Sequence, residues 1–205
     1  MQTNLILAGV GGQGVVTAGS FISESLSTAG KKVVMSEIHG LAQRGGAVNV
    51  EIRIGDIYGP IIPHGKVDIL IGFEPIESVR ATQKANRDTF ILVNSEKQVP
   101  VSLSMNALEY PAAGEISRML DPFKHVVFLD ATAIAIKAGN VRTVNTVLIG
   151  AAMASSLLPI SVGQLEKTLS ERFEGKLYEV NETALGLGMD YAKRELGIKK
   201  TRSNS

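Results

Sequence analysis

Short apolar runs alternate along the chain with longer stretches of helical periodicity. Six runs read as strands, at 5–8, 33–36, 47–54, 67–71, 89–93 and 126–129. Continuous runs such as Asp68-Ile69-Leu70-Ile71 and His125-Val126-Val127-Phe128-Leu129 suit strands buried on both faces. Helical spacing covers 14–29, 75–85, 114–120, 143–158, 162–173 and 181–196. Gly30 stands where the first helix should stop, and Pro75 and Pro159 suit helix boundaries. Strands alternating with helices predict an α/β domain whose sheet is mostly parallel and flanked by helices, with a helical C-terminal third. The 47–54 run departs from this pattern. Val48, Val50, Ile52 and Ile54 alternate with Asn49, Glu51 and Arg53, which predicts an antiparallel strand at an edge or in a hairpin with 57–62.

Composition narrows the function classes. A chain of 205 residues fits one domain, taken as 1–198 with a flexible basic tail at 199–205. Lys and Arg number 21 against 20 Asp and Glu, so bulk charge favours neither nucleic acid nor an anionic membrane. The most apolar stretch, 144–160, is interrupted by Asn145, Thr146, Ser155, Ser156 and Pro159 and reads as no membrane span. The N-terminus shows no basic stretch ahead of an apolar run, and a cytosolic protein is expected. Cysteine is absent, which removes disulfides, thiolate catalysis and cysteine-ligated iron–sulfur clusters from this chain.

The first strand runs into Gly9-Val10-Gly11-Gly12-Gln13-Gly14 and then a helix, so G-x-G-x-x-G stands in a strand–loop–helix setting. Glycines there allow a tight turn and close approach, and the helix's free amides face an anion, most often a phosphate. A Rossmann-like domain follows, and Glu37 lies at about the distance of a ribose-binding acid. The next segment departs from a dehydrogenase. Glu37-Ile38-His39-Gly40-Leu41-Ala42-Gln43-Arg44-Gly45-Gly46 is a polar, glycine-rich loop leading into the alternating strand. Arg44 offers a planar charged fork to phosphate or carboxylate, and Gly45 and Gly46 allow close approach. His39 can orient a ligand or be structural. Glu74, in Phe73-Glu74-Pro75-Ile76-Glu77, ends a buried strand and either lines the same crevice or, like Glu77, serves the first turn of a helix. Asn145 opens a helix of small residues (Gly150, Ala151, Ala152, Ala154) suited to close packing, where it caps the helix or binds a ligand.

With these motifs the sequence resembles the gamma-type subunits of 2-oxoacid:ferredoxin oxidoreductases, nearest their indolepyruvate branch. The resemblance rests on 9–14, 37–46 and the run Asp68 to Arg80, with weaker support from 144–151 and Asn181. It implies a subunit of a complex that converts a 2-oxoacid and coenzyme A to acyl-coenzyme A and carbon dioxide, and passes electrons to ferredoxin. Thiamine diphosphate and iron–sulfur clusters would belong to a larger catalytic partner. No thiamine diphosphate motif is found in this chain. The resemblance makes Gly11, Gly12, Gln13, Gly14 and Arg44 candidates for the coenzyme's phosphates, with no catalytic residue and no metal ligand assigned. Two other readings stay open: a free-standing NAD(P)-dependent enzyme with Glu37 on the ribose, and a non-catalytic module that binds a nucleotide or acyl-coenzyme A.

Overall fold

A computed structural model describes residues 2–40, 45–100 and 109–198. Six strands form one sheet: β1 (Thr3–Val10), β2 (Val33–His39), β3 (Ala47–Ile54), β4 (Val67–Gly72), β5 (Ala85–Asn94) and β6 (His125–Leu129). Their order is β2-β3-β1-β4-β5-β6. β1, β4, β5 and β6 are mutually parallel, while β3 runs antiparallel to both β1 and β2. The alternating strand is thus antiparallel, as its pattern predicts. It pairs on both sides, so β2 takes the edge, and the hairpin is made with β2 rather than with 57–62.

That arrangement explains the polar half of β3. Val48, Val50, Ile52 and Ile54 join the core beneath one sheet face. Glu51 and Arg53 face the other way and hold the crossing segment that follows. The Glu51 carboxylate accepts from the Ile62 N–H at 2.7 Å and from the Lys84 ammonium, and Arg53 donates to the carbonyls of Gly59 (2.7 Å) and Ile61 (3.2 Å). A buried carboxylate is tolerated because both oxygens are paired.

Helices cover the two sheet faces unequally. On one face lie α1 (Val15–Thr28), α4 (Ala131–Ala138), α5 (Val144–Met153), α6 (Val162–Arg172) and α7 (Lys176–Glu195), packed on Leu5, Leu7, Ile69, Ile71 and Leu92. On the other, α2 (Pro75–Ala81) and α3 (Ala113–Leu120) bury Ile76, Ile116 and Leu120 against Ile6, Leu70 and Ile91. Fully burying each of these Leu or Ile side chains contributes about 1.5–3 kcal/mol.

Several boundaries differ from the periodicity. The second helix stops at Ala81 and tightens into a 3-10 turn, Thr82–Lys84, so that β5 begins at Ala85. α5 ends at Met153, where Ser155 donates to the Ala152 carbonyl and Ser156 takes a left-handed φ of 58°. α7 starts at Lys176, five residues early, because Gly175 with φ 52° reverses the chain straight after α6. α4 was not predicted. Its ends nonetheless carry ordinary signals: Asp130 accepts from the Ala133 N–H at 2.8 Å, and Gly139 closes the helix at φ 111°.

Candidate functional site

Chain direction reverses at the junction of β1 and β4. From β1 the chain crosses by α1 towards β2, and from β4 it crosses by α2 on the opposite face towards β5. The carboxyl ends of such strands diverge and leave a crevice, where open α/β sheets place ligands. A crevice of about 650 Å³ opens here. One wall is the glycine loop with Gly12, Gln13, Gly14 and Thr17; the other carries Asn94, Glu96, Gln98, Thr132, Arg142 and Asn145. Phe173, Leu177 and Asn181 close its rim.

The glycine loop is held from three sides. Gln13 accepts from the Val10 N–H at 2.8 Å and donates to the Phe73 carbonyl at 3.2 Å, tying the loop to the end of β4. Asn94 donates to the same carbonyl at 3.2 Å and accepts from the Ala131 N–H at 3.0 Å, which fixes the β5 end to α4. Gly11 donates its N–H to the Gly46 carbonyl at 2.9 Å, joining the loop to the chain that leads into β3. Gln13 and Gly11 therefore shape the loop, and Gly12 and Gly14 line the crevice. Gly14 precedes α1 at φ 81°, and no side chain caps that helix. Its first-turn amides face the crevice end with neither a capping oxygen nor an acidic residue.

Across from the loop, Asn145 is 9% exposed. Its Oδ1 accepts from the Thr146 N–H at 3.0 Å, which fixes the amide, and its Nδ2 would stand 3.8 Å from a Cβ at Gly14. Behind it, Thr146 donates to Asn181 Oδ1 at 2.7 Å, and Asn181 donates to the Leu177 carbonyl at 2.8 Å. These buried bonds lock α5 to α7. Arg142 stands on a 3-10 turn, Val141–Thr143, whose start is set by Asn140: its Oδ1 accepts from the Arg142 N–H at 3.0 Å.

The other predicted residues lie elsewhere. Glu74 is fully buried as the N-cap of α2, outside the crevice lining; it accepts from the Glu77 N–H at 3.0 Å and from the Tyr110 hydroxyl. Burial raises its pKa, against the pull of the Tyr110 hydroxyl and main-chain donors. Glu37 and His39 are exposed on edge strand β2, bonded to each other at 3.0 Å. With β3 between them, β2 stands two strand spacings, roughly 10 Å, from β1, and neither residue lines the crevice. Gly45 (φ 70°) and Gly46 lead into β3. Arg44 lies outside the described residues.

Sequence reasoning missed Thr17, Asn94, Glu96, Gln98, Thr132 and Arg142. Polar residues at the end of a buried strand, Asn94-Ser95-Glu96, were a usable signal, as was the Asp130…Gly139 bracket around α4. No cysteine-ligated iron–sulfur cluster can be held by this chain. It has no cysteine, and among the described residues no group of three or more His, Asp or Glu is placed to hold a metal ion. Nor is any helix among them long and apolar enough to cross a membrane.

Comparison with known proteins bears on the family and the fold. The chain is 36% identical over 195 residues to the indolepyruvate oxidoreductase subunit IorB of Archaeoglobus fulgidus, covering 94% of this chain and 96% of that one. The pyruvate oxidoreductase subunit PORC of Thermotoga maritima has the same fold (TM-score 0.71, 21% identity), over 92% of this chain and 96% of that one. The 2-oxoglutarate:ferredoxin oxidoreductase of Magnetococcus marinus, solved with 2-oxoglutarate, coenzyme A and succinyl-CoA bound, matches 94% of this chain with 31% of its own (TM-score 0.70, 19% identity). The family model for pyruvate ferredoxin/flavodoxin oxidoreductases matches residues 4–191, and the chain belongs to that family.

Proposed function

We propose that the chain is the cluster-free subunit of a 2-oxoacid:ferredoxin oxidoreductase of the indolepyruvate type. It supports coenzyme A-dependent oxidative decarboxylation of an aryl-pyruvate, while thiamine diphosphate and iron–sulfur clusters reside on a larger partner that passes electrons to ferredoxin. The observation that carries this reading is the crevice at the uncapped start of α1, facing the spare amide of Asn145. Main-chain amides, a positive helix end and a side-chain donor suit a phosphate of coenzyme A. The name of the Archaeoglobus fulgidus relative supports the indolepyruvate assignment.

Affinity purification of the tagged chain from its native cells under anaerobic conditions tests the proposal. A large thiamine- and cluster-bearing chain should co-purify, turnover should require it, and the isolated chain should be inactive. Arg44→Ala should weaken coenzyme A binding by about 1.5–3 kcal/mol if that loop holds a phosphate. Repeated absence of such a partner, or saturable nicotinamide-cofactor binding by the chain alone, would overturn the reading.

A further inference from the structure

We propose that the outer edge of β2 is a self-pairing surface, on which a second copy of the chain adds its own β2 in antiparallel register around a two-fold axis at Ile38. β2 closes one end of the sheet, and its pairing with β3 fixes which of its main-chain groups are free. Gly40 donates to the Ala47 carbonyl at 2.8 Å, and Gly55 donates to the Lys32 carbonyl at 2.9 Å. In the register that sets Val33 opposite Ile54 and His39 opposite Val48, the even-numbered residues of β2 therefore bond to β3. The N–H and C=O groups of Val33, Met35, Glu37 and His39 point outwards, and none is bonded among the described residues. Such a row of unpaired main-chain groups is a template for another strand.

The side chains of this edge favour one register and a like partner. Outward bonds join only odd-numbered residues, so Glu37 can face Val33, Met35, Glu37 or His39 of the second copy. Glu37 on Glu37 sets like charges directly opposite, and Glu37 on Met35 or Val33 sets a carboxylate against an apolar chain. Glu37 on His39 pairs opposite charges, and the two-fold repeats that pair. Within one copy, Glu37 Oε2 already meets His39 Nε2 at 3.0 Å. The other carboxylate oxygen and the other ring nitrogen have no partner among the described residues. Across the axis these free atoms meet, so two carboxylates and two protonated imidazoles close a ring of alternating charge.

That register also sets Ile38 on Ile38 at the axis. Side chains alternate along β2, so Ile38 lies on the sheet face opposite to Glu37 and His39, beside Asn49 of β3. It is 41% exposed. A pair without main-chain bonds brings its side chains closest, with Cα atoms roughly 4.5 Å apart, and the two isoleucines cover each other. Charge complementarity on one face and apolar contact on the other both call for the same occupant, a copy of this edge. The overlap is short and the dimer accordingly weak, half-formed at about 10–100 µM.

Sedimentation equilibrium of the full chain over a concentration series tests the pairing, at about pH 5.5 so that imidazoles carry charge. Wild type should pass from monomer to dimer as concentration rises. Glu37→Lys alone and His39→Glu alone set like charges across the axis, and each should weaken the dimer about tenfold. An equimolar mixture of the two variants should dimerise as well as wild type, because every pair across the axis is then opposite in charge. A Glu37–His39 pair that acted only within one copy gives no recovery on mixing. The cysteine-free chain also accepts a single reporter thiol. Under mild oxidation Ile38→Cys should form a disulfide-linked dimer about tenfold faster than Ser36→Cys, two residues off the axis, or than Tyr58→Cys at a fully exposed position. A wild-type chain that stays monomeric up to about 0.5 mM overturns the proposal, and the charges then guard the edge instead. So does a mixture no more dimeric than its components, or cross-linking of Ile38→Cys no faster than that of Tyr58→Cys.

Discussion

Glu74 and Gly14, from two sequence motifs, show how differently such residues can be used. Burial pushes the Glu74 carboxyl above its ordinary value of 4.5, opposed by the Tyr110 hydroxyl and main-chain N–H groups; burial does the same to Glu77, opposed by Arg80. Both acids hold a proton more readily folded than unfolded. Their contribution to stability is therefore fully present below pH 4.5 and is lost as pH rises through their folded values. In urea titrations at a series of pH values, wild type should lose stability relative to Glu74→Gln as pH climbs above that point. A gap that does not move with pH would show that Glu74 ionises alike in both states. Gly14 acts through its backbone. Alanine at φ 81° should cost roughly 1–2 kcal/mol, read from the urea midpoint. Its Cβ would meet Asn145 Cβ at an ordinary 3.6 Å, so the loss comes from strain and not from collision.

Between elements, α5 and α7 approach backbone to backbone. A Cβ on Gly150 would lie 2.1 Å from the Leu185 carbonyl oxygen, and one on Gly188 would lie 2.1 Å from that of Val147. Because the obstacles are backbone, the helices must part to admit a methyl group. Gly150→Ala and Gly188→Ala should each destabilise by about 1–3 kcal/mol or more, visible as lowered midpoints in thermal unfolding. Midpoints equal to wild type would mean that the two helices are not in backbone contact. The small residues of α5 announced close packing in the sequence; that α7 was the partner did not follow from them. A similar division holds across the fold. All six strands were legible because buried runs such as 69–71 and alternating runs such as 48–54 carry their own period. The sheet order was not, since nothing local says that β3 inserts between β1 and β2 and moves Glu37 away from the glycine loop. Of the crevice, Gly12 and Gly14 on one wall and Asn145 on the other were readable. Thr132 and Arg142 were not, because an unpredicted helix and a 3-10 turn bring them in.

For the molecule as a whole, the crevice joins segments that are otherwise linked mainly through the core. The start of α1, the end of β5, α4, the Val141–Thr143 turn and α7 all contribute to its walls. A ligand held there binds only when these parts are assembled, so its binding free energy adds to folding stability by mass action. At a free ligand concentration of 100 times Kd the gain is about 2.7 kcal/mol. For a chain of 205 residues, each kcal/mol raises Tm by about 2–4 °C, so coenzyme A should lift the unfolding midpoint by roughly 5–10 °C. The midpoint should keep rising with the logarithm of concentration above Kd. If the crevice takes the phosphoryl end of coenzyme A, as proposed, ADP should reproduce the rise and pantetheine should not. Arg142→Gln should displace the curve to higher concentration by the same factor that its Kd changes, while leaving the ligand-free midpoint near wild type, since that exposed side chain has no partner to lose among the described residues. A coenzyme A response of Arg142→Gln superimposable on wild type would place the stabilising contact elsewhere on the molecule.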